Sequence, residues 1–140
     1  MVFAARRNTV SDQSVSGGTM IYVAKCLVVL VAALHAYFLI LEMCLWTKPQ
    51  GLKTFGNTPA KAADTAVLAA NQGLYNGFLT AGLIWSLLHP NPAFGFQIAV
   101  FFLLCVIVAG LYGGYSVSKR ITMVQALPAA IALICLWLAS

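Results

Sequence analysis

Charge is what this sequence has least of: 8% of its residues are Asp, Glu, Lys or Arg, where soluble domains carry about a quarter. A soluble chain of 140 residues, 61% of them hydrophobic, has no core large enough to hide so much apolar surface. Catalytic signatures are missing as well. There is no G-x-S-x-G, no H-E-x-x-H, no P-loop and no dinucleotide fingerprint. Cys26, Cys44, Cys105 and Cys135 form no C-x-x-C pair and fall within apolar runs, so they read as small buried hydrophobes. His35 with Glu42 lacks the Glu-x-x-His pairs of a di-iron bundle, and no metal or cofactor is expected.

What is present is a succession of long apolar runs, about residues 20–46, 65–88, 93–115 and 121–139. Each approaches or exceeds the ~20 residues that cross the hydrocarbon of a bilayer. The expected fold class is therefore all-α, a polytopic membrane protein with an antiparallel four-helix transmembrane bundle. Its spans are placed at about 20–46, 59–88, 93–116 and 121–139, the second beginning in the loop ahead of its apolar run. Residues 1–19 are polar and read as a disordered tail, with Met20 as an alternative start. The apolar run behind them is too long for a secretory signal and lacks its cleavage site.

In the first span, positions seven apart return to nearly the same angle. Ala24, Val28, Val31, His35, Phe38, Leu39, Glu42 and Trp46 form one stripe, and its ionisable members mark it as the inward face. Residues 47–57, TKPQGLKTFGN, read as a loop broken by Pro49, Gly51 and Gly56. Thr58-Pro59 and Asn91-Pro92 each offer an N-cap followed by proline at the first helical position. In the second span Val67, Leu74, Phe78 and Trp85 suit lipid, while Ala69, Gly73, Gly77 and Ala81 let another backbone approach closely. In the third span Cys105, Ala109, Tyr112, Gly113 and Ser116 share a face, and Pro128 is expected to kink the fourth.

Basic residues set the expected topology. Lys48, Lys53, Lys61, Lys119 and Arg120 lie on the side of the first and third loops, and Arg6, Arg7 and Lys25 on the other. The positive-inside rule then puts loops 47–58 and 116–120 in the cytoplasm and both termini outside. Bases placed at span ends report topology, so nucleic acid is not an expected partner.

The amides of the second span cannot face lipid without partners. Counting inward from the same end of each span places Glu42, Asn71, Gln72, Tyr112 and Gln125 within about one helical turn in depth. His35 and Asn76 form a second layer about two turns deeper, and Tyr75 flanks the amide stack. Such a layer is either a site for a ligand or proton, or a polar core that fixes the bundle. A carboxylate is a poor choice for interhelical glue. The expectation is therefore a small lipophilic or amphiphilic molecule, bound or transformed in a one-sided polar pocket near the cytoplasmic leaflet. A structural or accessory subunit and a small transporter are the alternatives. Membrane lipids are expected partners, and the small-residue stripes suit a homo-oligomer as well as intramolecular packing.

The strings Leu41-Glu42-Met43, Trp46-Thr47-Lys48 and Asn71-Gln72-Gly73-Leu74-Tyr75-Asn76-Gly77 resemble the bacterial small-membrane-protein family named domain of unknown function 1304, over about residues 20–140. The resemblance implies a four-span protein of the bacterial inner membrane. It brings no activity and therefore no catalytic role for any residue.

Overall fold

A computed structural model describes residues 18–140; the expectation of a disordered tail over residues 1–19 falls almost wholly outside them. Among the described residues the chain is all-helical, with no strand. Three segments, Gly18–Met43, Pro92–Ser116 and Lys119–Leu138, are long and apolar enough to cross a membrane. The first is the described part of α1 (Val2–Met43). The second is α5 (Pro92–Ser116), preceded by α2 (Pro49–Phe55), α3 (Pro59–Asp64) and α4 (Ala66–Leu88). The third comprises α6 (Lys119–Ile121), a π-helical turn (Thr122–Ala126) and α7 (Leu127–Leu138). With 23 residues α4 is long enough to span, but Asn71, Gln72 and Asn76 leave it outside that apolar set.

Local chemistry accounts for the helix ends. The Thr58 hydroxyl accepts from the Lys61 amide at 3.3 Å, and Asn91 Oδ1 accepts from the amides of Ala93 at 2.9 Å and Phe94 at 3.3 Å. Both caps are followed by proline, whose missing N–H costs nothing there. Two expectations change. The 47–57 loop contains α2, because Pro49 opens a helix rather than breaking one and Gly56, at φ +64°, closes it in the left-handed conformation. The helix expected over residues 59–88 is split at Thr65, whose hydroxyl donates to the Lys61 carbonyl at 2.7 Å and accepts from Trp46 Nε1 at 3.2 Å. Trp46 also stacks against Phe55, centroids 4.7 Å apart, so the first connection is tied to the start of α4.

Pro128 acts one turn earlier than a simple kink. Its ring has no N–H to give the Val124 carbonyl and crowds that carbonyl. The preceding turn widens to π, with the Leu127 amide bonded to the Thr122 carbonyl.

α1 packs against α4 and α7, and α5 packs against α4, the π turn and α7. The α1 stripe is inward as its periodicity requires: Ala24, Val28, Val31, His35 and Glu42 are all buried. α4 runs back along α1, with Gly77 against Leu39 and Gly73 against Glu42, Met43 and the Leu39 carbonyl. Its expected outer residues Val67, Leu74, Phe78 and Trp85 are exposed. On α5 the buried line is Ala99, Leu103, Val106 and Gly110, so Tyr112 points outward, 70% exposed. The cysteines are less enclosed than expected: Cys26 and Cys44 are exposed, and Cys105 and Cys135 partly so.

Candidate functional site

The polar interior resolves into two pairs. Glu42, in the last turn of α1, accepts a hydrogen bond through Oε2 from Asn76 Nδ2 at 2.7 Å. The same Asn76 amide reaches the Gln72 carbonyl at 3.3 Å. Gly73 lets these side chains meet, since it allows α4 to lie directly on Glu42 and Met43. Two turns earlier on α1, His35 Nδ1 lies 2.8 Å from the Val31 carbonyl. That contact requires the ring hydrogen on Nδ1 and leaves the Nε2 lone pair to accept from Gln125 Nε2 at 3.3 Å. Glu42 is thus tied to α4, and His35 to the π turn.

Two threonines complete the ties. The single hydroxyl hydrogen of Thr80 is shared between the Asn76 carbonyl, 2.9 Å from Oγ1, and the Ala32 carbonyl on α1 at 3.3 Å. Thr122 Oγ1 reaches the Gly110 carbonyl on α5 at 3.3 Å. Sequence reasoning left both out of the candidate layer, although a threonine within a long apolar helix is a detectable signal. No buried side-chain nitrogen or oxygen among the described residues lacks a hydrogen-bond partner.

The other expected members stand apart. Asn71 and Gln72 are exposed, as are Tyr75 and Tyr112, so the shallow layer does not converge as the depth count implied. Glu42 pairs with Asn76 and not with Asn71, Gln72 or Tyr112; His35 pairs with Gln125 and not with Asn76. Among the described residues no three His, Cys, Asp or Glu side chains gather as a metal site.

A cavity of about 180 Å³ opens elsewhere, between Ile21, Lys25 and Val28 of α1, Ser86 and His89 at the end of α4, and Phe96 and Ala99 of α5. Lys25 is 17 positions before Glu42, which at 1.5 Å per residue is about 26 Å along the helix. This cavity and the Glu42 pair therefore lie at opposite ends of the apolar region.

The geometry describes a multi-helix, membrane-compatible protein with internally satisfied polar pairs. The family model for the Protein of unknown function (DUF1304) matches residues 29–137, and the chain belongs to that family. It is also similar to the Uncharacterized protein YpaA of Lactococcus lactis subsp. lactis (strain IL1403). The two are 29% identical over 107 residues, covering 75% of this chain and 88% of the relative. No solved structure gives a significant match.

Proposed function

We infer that the chain is a four-span antiparallel bundle of the bacterial cytoplasmic membrane, acting as a structural or accessory membrane protein whose polar residues fix helix packing. The observation that carries this reading is that no buried side-chain nitrogen or oxygen among the described residues lacks a partner: Glu42 Oε2 is engaged by Asn76, and His35 by Val31 and Gln125. The lipophilic-ligand pocket expected beside Glu42 gives way to it, because neither cavity seen is lined by Glu42: one lies at the far end of α1 and the other on α5 around Cys105 and Tyr112. Interhelical hydrogen bonds in membranes contribute about 0.6 kcal/mol on average and up to about 1.7. Several together suffice to choose one packing over its rotated alternatives. α4 serves as the fourth span, its amide-bearing face turned in at Asn76 and its first turns at headgroup level. The basic residues orient loops 47–58 and 116–120 to the cytoplasm.

The test is to compare Glu42→Gln with the parent protein, extracted together with its native lipids. A packing role leaves Glu42→Gln folded, equally stable and carrying the same co-purified small molecules. Loss of a specific lipophilic molecule from Glu42→Gln at unchanged stability would instead restore the ligand reading.

A further inference from the structure

We propose that the cavity at the Lys25–His89 end is a binding site for the phosphate headgroup of an anionic membrane lipid, whose acyl chains lie along the apolar surface beside it. Its wall is apolar where Val28, Phe96, Ala99 and Leu136 meet, and its polar lining is cationic or hydrogen-bonding, never acidic. Lys25 makes no hydrogen bond or ion pair among the described residues. The described acids are remote: Glu42 at the far end of α1, and Asp64 beyond the far end of the 23-residue α4. Among the described residues, therefore, no Asp or Glu side chain serves the ammonium group as a counterion. The His89 ring touches the Asn91 backbone through Nδ1, at 3.0 and 3.1 Å, which leaves Nε2 as its other polar atom. Ser86 is already committed to the Leu83 carbonyl at 2.6 Å, so recognition falls to Lys25 and His89.

Depth selects a lipid over a soluble anion. The ~26 Å between Lys25 and Glu42 along α1 nearly spans the ~30 Å hydrocarbon of a bilayer, which puts Lys25 at the level of one headgroup layer. An aromatic group marks the same level. The His89 ring sits 6.1 Å from Trp85 and 5.8 Å from Phe94, and Phe96 lies 5.4 Å from Trp137. A volume of about 180 Å³ equals roughly six waters at ~30 Å³ each. That admits a headgroup and excludes a pair of acyl chains, which are left to the exposed Tyr22, Leu88 and Trp137.

The experiment is native mass spectrometry of the full chain in a neutral detergent, offered equal amounts of phosphatidylglycerol and phosphatidylcholine, with inorganic phosphate as a separate competitor. The parent protein is expected to retain phosphatidylglycerol preferentially. A lysine near anionic headgroups contributes about 1 kcal/mol, so Lys25→Gln should lower that retention about five-fold. Lys25→Arg should keep it, and Lys61→Gln, which removes the same charge from the other end, should not change it. His89→Leu provides a second variant that does not touch α1. Equal retention of the two lipids by the parent protein, or equal losses in Lys25→Gln and Lys61→Gln, would overturn the proposal. Displacement of the lipid by inorganic phosphate would assign the site to a soluble anion and overturn the headgroup.

Discussion

Removing one partner of the Glu42–Asn76 pair should be more damaging from the Asn76 side than from the Glu42 side. In Glu42→Leu, the Asn76 amide keeps its 3.3 Å contact with the Gln72 carbonyl, so only the 2.7 Å bond is lost. The expected cost is about 1–2 kcal/mol. In Asn76→Leu, the carboxyl group of Glu42, a residue 9% exposed as a whole, loses its donor and stays largely enclosed, which should cost about 2–4 kcal/mol. Glu42→Gln preserves shape and an acceptor and should cost under about 0.5 kcal/mol, the ordinary range for a change without a broken contact. The double change to leucine should be milder than the sum of the single ones by about 1 kcal/mol or more, because it removes donor and acceptor together. Denaturant titration in mixed micelles, or steric trapping in bicelles, measures these differences. Strict additivity within about 0.3 kcal/mol, or Glu42→Leu costing more than Asn76→Leu, would refute the pairing and the inference built on it.

The His35–Gln125 contact calls for the same treatment: Gln125→Leu should cost about 0.5–1.5 kcal/mol, and its effect should vanish in a His35→Leu background. Gly110→Ala should destabilise by about 1–3 kcal/mol, because a Cβ there would lie 2.6 Å from the Ala126 backbone nitrogen. Gly73→Ala should cost less, since its one severe approach is to a side-chain atom, Met43 Cγ at 2.6 Å, while Glu42 Cβ at 3.1 Å and the Leu39 carbonyl at 3.2 Å need yield only slightly; equal costs in a thermal-unfolding series would contradict this. A cysteine at position 53 should react with a membrane-impermeant thiol reagent only after the cytoplasmic face is opened, in a background free of native cysteines. Labelling from outside intact cells would invert the topology.

The first span was readable because one inward stripe combined a seven-residue return with its only interior ionisable groups. Helix starts at Thr58-Pro59 and Asn91-Pro92 were readable because capping is local chemistry. Partners within the polar layer were not. On α4 the line Gln72, Asn76, Thr80 adjoins the line Ala69, Gly73, Gly77, and α1 settled over the seam between them. Asn76 therefore turned inward while Gln72, one turn away, stayed out. α5 is apolar on every side, so Ala99–Leu103–Val106–Gly110 and Cys105–Ala109–Tyr112–Ser116 have equal claims by spacing. Packing against the cluster of Val28, Leu83 and Ala129 and, at Gly110, against Gln125 and Ala126 distinguishes them. Depth counting failed because it aligned helix ends, whereas Asn76, ten residues into α4, meets Glu42 in the last turn of α1.

The wide turn at Thr122–Ala126 also sets where the chain tolerates a change of length. A π turn holds one residue more than an α turn over a similar rise. Removing a residue there returns the turn toward α and sets the Pro128 ring against the carbonyl four residues before it, yet Ile121 keeps its place against Gly113 and Ala129, Ala132 and Leu136 still face the core. Removing one at Ala130 would instead swing the following residues by about 100°, sending Ala132 and Leu136 to the outside. The proline and the widened turn ahead of it thus act as a slack link, the place where the last span can gain or lose a residue without losing its seat.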